Sequence, residues 1–80
     1  MKQLRFYHRQ DCHLCEVMLG QLHKLQRTHE FELEMVEVDR RASDLSVYRN
    51  RIPVLETLRG DCLSEHFLDE DALLSYLTSG

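Results

Sequence analysis

Leu14, Val17, Met18, Leu22 and Leu25 recur at spacings of three and four residues, the stripe of a helix that buries one face. Short strand-like runs flank it, Leu4–Tyr7 before and Glu32–Asp39 after. A chain passing from strand to helix to strand lays the helix across a sheet, which points to an α/β architecture. The helix is expected to run to about His29, with Asp11 as its cap and Glu16 in its acid-favouring first turns. In the second strand the apolar phase shifts from Leu33 and Met35 to Val36 and Val38, which predicts a bulge or a late start. Its glutamates at 32, 34 and 37 suit a sheet edge.

The remaining elements follow from local signals. Ser43 caps a short expected helix, Asp44 to about Asn50, with Leu45 and Tyr48 turned inward. Pro53 ends it, because the residue before a proline is driven out of the helical region. Ile52-Pro53-Val54-Leu55 opens a strand, Arg59-Gly60-Asp61 turns the chain, and Cys62–Glu65 returns as a hairpin arm. Leu68 and Leu73 staple the last helix across its cap Asp69, and Leu73, Leu74 and Leu77 supply its buried face over about Glu70–Leu77. The expected order is β-α-β-α-β-β-α in a single domain of residues 1–80.

Charge narrows the functional classes. Residues 1–29 hold five basic and two acidic side chains, and residues 30–80 hold five basic and twelve acidic ones. Nucleic acid is not an expected partner, since binding a phosphate backbone needs clustered positive charge. No apolar run approaches a membrane span and no apolar stretch follows Met1–Arg5, so a cytoplasmic protein without membrane contact is expected.

Three cysteines are too few, and odd in number, for a disulfide framework. Two of them form Cys12-His13-Leu14-Cys15, where the first strand gives way to the helix. Residues three apart share a helix face within disulfide reach. The unpaired N–H groups and the positive dipole end of a first turn favour a thiolate. A dithiol redox centre follows, with Cys12 the more exposed nucleophile, Cys15 the resolving thiol one turn deeper, and His13 able to add positive charge beside Cys12. Two other readings stay open: metal or iron–sulfur binding by the same cysteines, which lacks evident further ligands, and a binding module that has lost catalysis.

The first strand, the Cys-x-x-Cys at a helix start and Ile52-Pro53-Val54 about 40 residues later together resemble the thioredoxin superfamily. The short first strand is similar to its glutaredoxin branch, and the Cys-His-Leu-Cys motif to small bacterial glutaredoxin-like proteins. The resemblance covers Leu4–Leu77. It implies a three-layer sandwich around a four-stranded mixed sheet in order 2-1-3-4. It also implies a cis peptide at Ile52–Pro53 beside the dithiol, where the backbone before the proline pairs with an extended substrate. The implied activity is thiol–disulfide exchange with a protein or small-thiol disulfide, reset by an external reductant, in a monomer that binds no cofactor.

The chain departs from the glutathione-using pattern. Ile52 stands in place of threonine, His66-Phe67-Leu68 in place of paired glycines, and His13-Leu14 in place of Pro-Tyr. Arg9 is the nearest basic residue ahead of the cysteines, and Asp69, Glu70 and Asp71 crowd negative charge where a glutathione carboxylate would sit. These departures count against glutathione as the reductant. His8 and His66 are candidate rim residues of the substrate site, while His23 and His29 read as surface positions. Cys62 reads as a small buried strand residue, and Phe6, Tyr7, Phe31 and Phe67 read as core or rim packing.

Overall fold

In a computed structural model, which describes residues 2–38 and 48–79, four strands form one sheet in the order β2-β1-β3-β4. The strands are β1 (Lys2–His8), β2 (Phe31–Glu37), β3 (Val54–Thr57) and β4 (Cys62–Glu65); the helices are α1 (His13–Leu25) and α2 (Glu70–Thr78). β1 and β2 are parallel, which requires a crossover, and α1 is that crossover. β1 pairs antiparallel with β3, and β3 antiparallel with β4. The mixed sheet and its order are those implied by the glutaredoxin resemblance. The expected helix from Asp44, its cap Ser43 and its inward Leu45 lie outside the described residues. Of that segment, Tyr48–Arg51 form a turn closed by Arg51 and Ile52 N–H groups on the Tyr48 carbonyl, each at 3.0 Å.

The core follows strand alternation. Leu4 and Phe6 share one face of β1, and they form one buried cluster with Cys15, Met18 and Leu22 of α1 and Leu73 of α2. Every residue of β3 is buried, including Glu56 and Thr57, because a central strand is covered on both faces. The polar ones are satisfied: the Tyr48 hydroxyl donates to Glu56 Oε2 at 2.8 Å, and Thr57 Oγ1 accepts from the N–H groups of Arg59 and Asp61. Tyr48 also stacks on Tyr7 at 3.9 Å between ring centroids. Hydrogen bonding with Tyr7, reinforced by burial and the Glu56 contact, raises the Tyr48 phenol above the ordinary tyrosine value.

Several expectations need correction. The bulge expected in β2 is absent from its pairing with β1, which runs in continuous register from Lys2↔Phe31 to His8↔Glu37. The apolar phase shifts because an edge strand is covered on different faces along its length. Phe31 and Leu33 pack into the core on the face of Leu4, Met35 is left exposed, and Val36 and Val38 serve the opposite face, that of Tyr7. The sheet's irregularity falls instead between Leu55 and Glu56 in the β3–β4 pairing. α1 ends at Leu25 and continues as a tight turn, with Arg27 and Thr28 N–H groups bonded three residues back. No Gly or Pro punctuates that stretch, so the sequence pattern overran it. In α2 only Leu73 is fully buried, and Leu74 and Leu77 are half-buried.

Candidate functional site

Three chain segments meet at one end of the sheet. Tyr7 pairs with Val54, and Val54 with Glu65. The exit of β1 toward α1, the entry of Ile52-Pro53 into β3 and the exit of β4 through His66 therefore share that end. Cys12 and Cys15 lie there, joined as a disulfide with a Cα–Cα separation of 5.2 Å, inside the usual range of roughly 4.4–6.8 Å.

Cys12 is itself the cap of α1. Its Sγ accepts the Cys15 N–H at 3.2 Å and its carbonyl accepts the Glu16 N–H at 3.1 Å. This corrects the assignment of Asp11 as cap. Asp11 sits in the left-handed region (φ 58°), a conformation that Asp tolerates better than most residues, and the turn delivers Cys12 to the helix start. Cys12 is half-buried, whereas Cys15 is packed into the core at 4% exposure. One sulfur meets solvent and an N–H donor; the other waits beneath it.

The Ile52–Pro53 peptide is cis, Ile52 is 7% exposed, and Pro53 is fully buried. Its position at the shared end of the sheet puts it on the side of the disulfide. The Ile52 N–H donates to the Tyr48 carbonyl at 3.0 Å. The Pro53 carbonyl accepts the His66 N–H at 2.8 Å, which ties the loop before α2 to the proline. His66 is exposed with φ 63°. His8 ends β1 with its ring stacked on Phe6 at 5.7 Å, and His13 is exposed in the first turn of α1.

Beyond the loop that precedes Cys12, Arg9, Asp11, Glu37 and Arg49 line part of an open hollow of about 650 Å³ in which both signs of charge are present. Among the described residues, no three His, Cys, Asp or Glu side chains cluster so as to hold a metal ion.

Sequence reasoning missed two features. Phe67 is 70% exposed: the left-handed turn at His66 reverses the chain and throws the ring outward. No composition signal marks such a turn, since His66 is neither Gly nor Asn. Cys62, expected to be buried, is an exposed free thiol on an edge strand. Partial desolvation and the nearby Glu65 carboxylate push its pKa up, so it lacks the character of a reactive thiolate.

Known proteins sort this geometry. The chain is similar to the solution NMR structure of protein Ne2328 from Nitrosomonas europaea, at 37% identity and a TM-score of 0.81, covering 96% of this chain and 92% of that one. It is also similar to the X-ray structure of the X. campestris structural genomics target XcR50, at 31% identity and a TM-score of 0.69, covering 96% of this chain and 97% of that one. No curated protein matches the chain. A family model does, and it extends over residues 3–78, from the first strand through the cystine and the cis-proline to the last helix. With strand order, cystine and sequence in agreement, the chain belongs to the glutaredoxin-like domain family, DUF836.

Proposed function

We propose that this protein is a thiol–disulfide oxidoreductase that works through Cys12 and Cys15. The observation that carries the reading is the pairing of a half-buried cap sulfur, which accepts a helix N–H, with a buried partner sulfur one turn away. In the reduced protein the Cys15 N–H and the helix dipole favour a thiolate on Cys12. His13, when protonated, adds to that. Cys12 attacks a substrate disulfide and forms a mixed disulfide, and the first substrate thiolate leaves. Cys15 then attacks Cys12 Sγ, closes the cystine and frees the second substrate thiol.

Two electrons pass from the dithiol to the substrate, and an external thiol reductant returns them. Ile52 and Pro53 shape the groove, with His8 and His66 on its rim. The substrate is a protein or small-thiol disulfide, and the setting is the cytoplasm, where thiols are kept reduced. The reductant is a dithiol protein rather than glutathione, because Asp69, Glu70 and Asp71 replace the surroundings that hold a glutathione carboxylate. The protein acts as a monomer with no bound cofactor.

Replacing Cys15 with Ser removes the resolving thiol. Under oxidising conditions Cys15→Ser protein is expected to accumulate mixed disulfides on Cys12, seen by mass spectrometry and reversed by dithiothreitol. No adduct on an accessible Cys12 would refute the proposal. An unchanged phenotype on replacing Cys12 would mark the protein as a non-catalytic binding module.

A further inference from the structure

Leu14, Val17 and Gln21 lie along one face of α1. Gln21 and Leu25 line a shallow groove with Leu68 and Glu70, so the 66–70 loop runs beside that face. The loop starts at the His66–Pro53 hydrogen bond, at the disulfide end, and reaches the groove by Leu68. Phe67 is the residue between those two points, so its backbone runs from the disulfide end toward the α1 groove. These three side chains are 36%, 44% and 70% exposed. Next come Asp69, Glu70 and Asp71, none of which has an ion-pair partner among the described residues. Among the described residues, Lys24 is the basic side chain lining the groove. Nearby, Arg51 and Glu65 neutralise each other.

We infer that Leu14, Val17 and Phe67, with the carboxylates of Asp69, Glu70 and Asp71, form a docking surface for polypeptides that carry an apolar side chain and basic residues beside their own cystine. The inference rests on the redox reading above and names its substrate class. Because the Ile52 N–H is engaged within the chain, backbone pairing offers a substrate less than a full β-ladder. Side-chain complementarity then decides which disulfide is held: apolar contact retains it, and the negative rim draws cationic segments while repelling anionic ones such as glutathione disulfide. The docked cystine loses one sulfur to Cys12 as a mixed disulfide and releases a thiolate; Cys15 then displaces the second. The two thiol protons of Cys12 and Cys15 end on the two released sulfurs.

The test is single-turnover exchange. The full chain, reduced with dithiothreitol and freed of it, is mixed with two cystine peptides of equal length, one bearing Leu and Lys beside each cysteine and the other Leu and Glu. The neutral bis(2-hydroxyethyl) disulfide serves as the third substrate. The basic peptide is expected to react about tenfold faster than the acidic one at about 0.02 M salt, and the ratio to fall toward one at about 0.5 M. E70Q/D71N should lower the ratio at low salt, and Phe67→Ser should slow the Leu-bearing basic peptide relative to the neutral disulfide. Exchange with the neutral disulfide but a peptide ratio near one would overturn the docking surface alone. No exchange with any of the three would overturn the redox reading and this inference together. Sedimentation as a dimer that Phe67→Ser dissociates would assign the patch to a second copy of the chain and overturn the inference.

Discussion

The Arg51 guanidinium reaches Glu65 Oε1 at 2.6 Å, and that hydrogen bond holds the Glu65 carboxyl below the ordinary glutamate value. A carboxyl lowered in the folded state contributes stability above its unfolded pKa and loses it as pH falls through the folded pKa. Both side chains are solvated, so the contribution is small. An NMR titration should place the Glu65 midpoint below that of a free glutamate, and Arg51→Gln should move it back up. An unmoved midpoint would mean the pair does not persist in solution. Residue identity told less about environment than about chemistry. The two motif cysteines were legible because their spacing is a helix property. The exposure of Cys62 and Phe67 was not, because each depends on where an edge strand and a left-handed turn leave the side chain.

Elements with explicit boundary signals were read closely. The Asp69 carboxylate accepts the Ala72 N–H at 3.1 Å, so α2 begins where its cap and the Leu68–Leu73 staple place it. Asp69→Ala is expected to cost about 1 kcal/mol, measured by urea denaturation with an unchanged m-value; no loss would show that the Ser64 contact to the Asp69 N–H defines the start instead. The far end of α2 is held by tertiary contacts. Lys2 Nζ donates to the carbonyls of Tyr76 and Ser79 and lies 4.5 Å from the Tyr76 ring centroid. Those partners are 74 and 77 residues away in sequence, beyond any local pattern. α1 shows the opposite case: its N-terminus is capped by a sulfur that the residue preferences for caps would not nominate.

Across the whole molecule, the cystine and the fold separate. The disulfide closes a loop with a sequence separation of only 3, and so short a loop withdraws on the order of 2 kcal/mol of chain entropy from the unfolded state. The strand pairings of the sheet involve neither Cys12 nor Cys15. Reduction by dithiothreitol is therefore expected to leave the far-UV circular dichroism and the dispersion of β1–β4 amides intact. Unfolding on reduction would make the cystine a structural staple and remove the basis for reversible exchange. Periodicity and spacing dictated that strands and helices alternate, that one helix opens on two cysteines, and that a proline precedes the third strand, because these are relations between residues close in the chain. Three-dimensional packing alone decided that β1 and β4 finish where β3 begins, at one end of the sheet, that Ile52 surrenders its N–H to Tyr48, and that Phe67 stands exposed. Those outcomes depend on pairings between distant segments, whose register is set by the shared core and not by any one stretch of sequence.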